Sequence, residues 1–151
     1  LNHNLYIWTH NSRFTLMLRK LLLISIIWAA IILVLCALPG DNLPKSKISI
    51  IPHFDKLVHM GLYFPLSFLF IAVFDLSRLS VLRSLGPILT LGLVGIYGGF
   101  IELAQENLFV HRSAELLDFI FDLIGGLLGI LTYYILFRKL FHRISMQKKV
   151  V

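Results

Sequence analysis

The side chains best suited to chemistry in this chain stand near the ends of long apolar runs: Asp55, His59, Glu102, Gln105, Arg112, Asp118 and Asp122. His59 is placed to act as a general base, with Glu102 or Asp122 as the acid or as the group that orients it. Arg112 is a clamp for a phosphate or a carboxylate. His59, Glu102, Asp118 and Asp122 together also offer enough nitrogen and oxygen donors for a divalent metal, although no compact pair such as HExxH is present. Asp55, Lys56 and Tyr63 complete the set as binding or orienting residues, because Asp55, His59 and Tyr63 recur every four positions and so share one helix face.

Each of these residues also has a plainer use. Asp55 and Asp118 suit helix starts, where a carboxylate complements the N-terminal dipole. Lys56 can stretch its stem toward lipid headgroups. Tyr63 can be a packed interior ring with a bonded hydroxyl. Asp122, one turn inside an apolar run, can pair with Arg112 or with a polar group of the preceding helix.

The elements that carry these residues follow from composition. Of the 151 residues, 58% are hydrophobic and 15% charged, against about 25% charged in soluble domains, and the mean hydropathy is +0.84. Four runs are long and apolar enough to span a bilayer, which takes about 20 residues at 1.5 Å each. They are 21–38, 57–74, 84–101 and about 119–137. The first is too long for the apolar part of a signal peptide, about 7 to 15 residues, and so is expected to be an uncleaved anchor. The predicted fold is all-α, a four-helix transmembrane bundle over 21–138, with a cytoplasmic or interfacial segment at 1–20 and a basic tail at 139–151. The first 20 residues fit either an interfacial helix or a disordered segment.

Glycines are concentrated in the third and fourth runs, and Gly125 and Gly129 form a small-xxx-small pair that lets helices approach closely. The pair could serve a homo-oligomer face or packing within one chain. Cys36, the single cysteine, sits inside the first run and is expected to pack there.

The net charge is +6, but Lys and Arg flank the apolar runs and form no aromatic-interleaved patch, so nucleic acid is not an expected partner. They report topology instead. Segments 1–20, 75–85 and 138–151 carry three, two and five Lys or Arg, ten in all. Segments 39–56 and 104–118 carry three and one, four in all. The positive-inside rule then places both termini in the cytoplasm. With that orientation Asp55, His59, Glu102, Gln105, Arg112, Asp118 and Asp122 all fall near the extracytoplasmic leaflet. Each ionisable group in a span costs about 2.5 to 3.5 kcal/mol on insertion scales, which favours gathering them inside the bundle.

The run Asp55-Lys56-x2-His59-x3-Tyr63, then Glu102-x2-Gln105, then Arg112-x5-Asp118-x3-Asp122-x2-Gly125-x3-Gly129 resembles the signature of the VanZ-like family of small bacterial membrane proteins. The similarity runs from about Pro52 to Gly129, with order and span placement both fitting. At the position of Asp122 the family usually has Asn. The resemblance implies a four-span bundle in a bacterial cytoplasmic membrane and a family named for association with resistance to the glycopeptide teicoplanin. It supplies no reaction and no cofactor.

Three functions are open on these residues. One is a membrane-embedded enzyme acting on a lipid-linked or cell-wall component at the outer leaflet, with His59, Glu102 and Asp122 catalytic and Asp55, Lys56, Tyr63, Gln105, Arg112 and Asp118 binding or orienting. Another is a non-catalytic binder of a drug, a lipid headgroup or a partner membrane protein. The last is a purely structural lock between helices, disfavoured because a lock rarely needs four acids, a His and an Arg at one level. A transporter is disfavoured by the small number of spans and the lack of an inverted repeat.

Overall fold

A computed structural model describes residues 2–38, 54–108 and 114–141 of the chain. Every element among them is helical: α1 (Asn2–Ala37), α2 (Phe54–Asp75), α3 (Ser80–Asn107) and α4 (Leu116–Thr132). α4 runs on through a wider π-helical turn, Tyr133–Phe137, and a last helical stretch at 138–141. All four helices are long and apolar enough to cross a membrane.

The apolar runs locate these helices but undershoot their polar ends. α2 begins at Phe54, α3 continues past Ile101 to Asn107, and α4 begins at Leu116. Hydropathy marks where lipid is crossed, whereas helical hydrogen bonding continues for as long as the backbone stays regular. As a result Glu102 and Gln105 stand inside a helix, and Asp118 is in the first turn of another. α1 is one helix from Asn2, and its membrane-crossing stretch is Thr15–Ala37.

Contacts fix the relative directions. Lys56, His59, Met60 and Ser67 of α2 meet Asp118, Asp122, Gly125 and Gly129 of α4 in the same order, so these helices run parallel. Gly98 and Val94 of α3 meet Asp122 and Gly126 in reverse order, so α3 is antiparallel to α4. The α2–α4 seam is close because of glycine. A Cβ on Gly125 would overlap the Met60 carbonyl, and one on Gly129 would overlap Ser67 and the Phe64 carbonyl. The small-xxx-small pair is therefore used in packing within the chain.

α1 docks through side-chain donors that meet backbone carbonyls across helices, giving one donor and two acceptors. Trp28 Nε1 donates to Leu62 O at 2.9 Å, Tyr97 Oη to Ala29 O at 2.5 Å and Gln105 Nε2 to Cys36 O at 3.3 Å. Cys36 is buried with Ile32, Tyr63, Leu66, Val94 and Ile101, in the packing role expected of it. The outside is apolar. Ile88, Ile96, Leu103 and Ile135 are among many large aliphatic side chains left exposed, while Lys56, His59, Glu102, Gln105, Asp118 and Asp122 are buried. So large an apolar exterior is not sustainable in water but matches acyl chains, and it is the architecture of a multi-pass membrane protein.

Candidate functional site

The first turns of α2 and α4 and the last turns of α3 meet at one end of the bundle. The outermost layer is built on Lys56. Its ammonium is buried and lies 2.8 Å from Asp118 Oδ1, 2.6 Å from Glu115 Oε2 and 2.9 Å from Asp55 Oδ2. Three donors meet three carboxylates, so the Lys56 head has no N–H left for an anionic ligand. Lys56 does not take its alternative course to the headgroups: carboxylates on α4 and its N-terminal flank hold it inside. Asp118 is likewise a buried partner in this pair and not a solvated helix start, whereas Asp55 stays half exposed at the rim.

One turn deeper, His59 Nδ1 lies 3.0 Å from Asp122 Oδ1, with both side chains buried. With Asp122 ionised its carboxylate accepts, so Nδ1 carries the proton and in the neutral ring Nε2 keeps its lone pair. Nε2 is 3.9 Å from Asp118 Oδ2, beyond hydrogen-bond reach. Among the described residues the partner of Asp122 is thus a residue of α2. Arg112 itself lies outside the described residues.

Glu102 comes to the same place from α3. Its Oε2 accepts the backbone N–H of Glu115 at 2.7 Å. That N–H belongs to the residue capping the N-terminus of α4, whose own side chain makes no cap bond, so a carboxylate from a neighbouring helix does the capping. Among the described residues the other oxygen, Oε1, is buried without a hydrogen-bond partner of good geometry, as are Asp122 Oδ2, Tyr63 Oη and Gln105 Oε1, with the Tyr63 hydroxyl directed at Asp122. Thr90 supplies the remaining orphaned side-chain atom among the described residues. Four orphans on residues singled out from sequence for chemistry form a concentration that packing alone does not explain.

Two groups of donors are compact enough for an ion. One ring nitrogen of His59 and one carboxylate oxygen each from Glu102 and Asp122 lie mutually within 4.8 Å, and so do one oxygen each from Asp55, Glu115 and Asp118. Lys56 already fills the second group.

Several contributors escaped the sequence reading. Glu115 anchors Lys56 and joins α3 to α4, and its one signal was an acid three residues before Asp118, one helical turn away. Gly98 was assigned only to close helix contact. A Cβ there would sit 2.8 Å from Asp122 Oδ2, so its absence makes the space that carboxylate occupies. At the opposite end, buried Asp75 accepts from Tyr133 Oη at 3.1 Å and lies 3.4 Å from Arg138 Nε, tying the end of α2 to the π-helical turn.

These features define a class: a multi-pass helical membrane protein with an apolar exterior and a buried carboxylate and imidazole cluster at one end of the bundle. No protein-family model and no solved structure matches the chain. Over 98 residues, 65% of its length, it is 28% identical to an uncharacterized protein of the fission yeast Schizosaccharomyces pombe, and the match covers 57% of that protein. The chain therefore matches little more than half the length of this relative.

Proposed function

We propose that the chain is a VanZ-like membrane enzyme of the bacterial cytoplasmic membrane that uses His59, Asp122 and Glu102 for acid–base chemistry on a lipid-linked or cell-wall component at the outer leaflet. The observation that carries this reading is the buried His59–Asp122 pair beside an unpartnered Glu102 oxygen. Asp122 fixes the imidazole tautomer and ring orientation, which leaves Nε2 to take a proton from water or a substrate hydroxyl. Glu102 Oε1 is free to orient that group, while Oε2 holds the end of α4 in place. A buried imidazole and two carboxylates are costly in a membrane span, and sites of that kind are functional by default.

Both termini lie in the cytoplasm on this reading, as the ten-to-four split of basic residues supports. The bacterial setting and the link to glycopeptide resistance rest on the sequence signature from Asp55 to Gly129; the fission yeast relative carries neither. A purely anion-binding role is weakened at Lys56, whose ammonium is fully engaged.

The test is expression in a teicoplanin-sensitive bacterial host, with antibiotic susceptibility and mass spectrometry of lipid-linked envelope components as readouts. Wild type is expected to alter both, and His59→Ala and Glu102→Gln at equal membrane abundance to alter neither. Full effect from His59→Ala sinks the catalytic reading. A protective effect that survives with no changed component in the mass spectra favours binding without turnover.

A further inference from the structure

The two donor groups at this end of the bundle differ in one respect. Asp55, Glu115 and Asp118 surround the ammonium of Lys56, so the chain provides its own cation there. Glu102 and Asp122 have no lysine or arginine among the described residues within ion-pair distance, and each keeps one buried oxygen without a hydrogen-bond partner of good geometry. The Tyr63 hydroxyl, fully buried, is directed at the Asp122 carboxylate on the same side of the cluster.

We infer that His59, Glu102 and Asp122 bind a divalent transition-metal ion. Two carboxylates, one neutral imidazole and one dication sum to zero charge, which is the least costly state for such a group in a low-dielectric span. Donors 2.0 to 2.2 Å from a tetrahedral ion stand about 3.3 to 3.6 Å apart, so atoms already within 4.8 Å of one another close on an ion by about 1.5 Å at most, within the reach of side-chain rotation. An imidazole ligand favours Zn2+ over Mg2+ and Ca2+, which prefer all-oxygen sites, and the two carboxylates also admit Mn2+ as a probe. Gly98 keeps open the space on which Asp122 Oδ2 depends. The inference rests on the same three residues as the proposed function and alters one role in it: His59 would be a ligand, and the ion would supply Lewis-acid polarisation of an oxygen bound beside it.

The experiment uses the full chain purified in detergent, stripped with a chelator and titrated with Mn2+ alone and Zn2+ alone. Stoichiometry is read by elemental analysis after desalting, and ligand identity by pulsed electron paramagnetic resonance of the Mn2+ form. One equivalent of metal and an imidazole nitrogen coupling are expected. Glu102→Gln, Asp122→Asn and His59→Gln should each weaken binding by at least about tenfold, and Gly98→Ala, which leaves every ligand in place but crowds Asp122, should weaken it as well. Asp55→Asn should not. Folding of each variant is checked by helical circular dichroism and a single size-exclusion peak.

No metal on folded wild type, no nitrogen coupling, or loss of binding in Asp55→Asn but not in Glu102→Gln overturns the inference. If metal fails to bind while envelope activity still requires His59, the ion is excluded and the acid–base reading stands. If metal binds while His59→Ala keeps full activity, the ion stands and that reading falls.

Discussion

The Lys56 ammonium lies 2.8 Å from Asp118 Oδ1, both groups buried, and this contact joins the first turn of α2 to the first turn of α4. Because α2 and α4 run parallel, the next turn of each is brought together by the same register, and His59 faces Asp122. Farther along, Gly125 and Gly129 let the backbones close on Met60 and Phe64. The polar pairs and the glycine seam are therefore successive rungs of one interface, and disturbing any rung tests the register of the others.

Removing the cation from the top rung leaves the buried Asp118 carboxylate uncompensated. A buried pair broken on one side costs about 3 to 5 kcal/mol. Asp55 and Glu115 are half exposed and add little. Lys56→Met should therefore lower stability in detergent by about 3 kcal/mol, and Lys56→Met with Asp118→Asn should recover a large part of that loss. A double-mutant cycle on thermal or denaturant unfolding measures the coupling. Additive effects would show that the pair is not energetically joined.

The second rung depends on an acceptor, not on a charge. In Asp122→Asn the amide oxygen still accepts from His59 Nδ1–H, so the bundle should stay folded with its unfolding midpoint within a few degrees of wild type. Asp122→Ala leaves a buried imidazole N–H unpaired, at a cost of about 1 to 3 kcal/mol. Comparing the two midpoints checks this. Equal losses would mean that the carboxylate charge itself holds the fold.

Much of this arrangement was legible in the residues. Four apolar runs gave the number of spans, and the recurrence Asp55, His59, Tyr63 gave the face of α2 that turns inward, because hydrocarbon penalises those groups anywhere else. Partner choice was less legible. Pairing depends on the relative rotation and height of helices, which a linear pattern does not encode, so neither the three carboxylates around Lys56 nor the His59–Asp122 pair could be singled out. Glu115 was passed over because it precedes the apolar run. Its part in the site comes from a backbone N–H that reaches Glu102 and a carboxylate that reaches Lys56, contacts set by the junction of three helices. Asp75 and Tyr133 went unnoticed for a similar reason, since a π-helical turn rotates the side chains that follow it and no periodicity announces it.

The glycine rung gives the sharpest steric test. An added methyl at Gly125 meets the Met60 carbonyl and at Gly129 meets the Ser67 hydroxyl and the Phe64 carbonyl, and the two carbonyls are backbone atoms that cannot move aside as a side chain tip can. Gly125→Ala and Gly129→Ala should each destabilise by at least about 1 to 3 kcal/mol, the cost of overpacking. Gly92→Ala, where no atom lies near the new methyl, should be neutral or slightly stabilising. Unfolding of the three variants in one detergent ranks them. If Gly125→Ala instead changes the oligomeric state and leaves monomer stability intact, the glycines serve a contact between chains.

The orientation of the bundle decides which leaflet the site can serve, and the distribution of basic residues makes a definite prediction about it. Cys36 is the single cysteine and is buried, so a Cys36→Ala background is free of reactive thiols. Glu115 and Arg138 lie at opposite ends of the α4 span, and both side chains are about half exposed. In intact cells a membrane-impermeant maleimide should label Glu115→Cys and not Arg138→Cys, and permeabilisation should make Arg138→Cys reactive. The reverse pattern would put the His59, Glu102 and Asp122 cluster at the cytoplasmic leaflet. Its ligands would then come from the cytoplasm, and an action on the outer leaflet of the envelope would be ruled out by geometry.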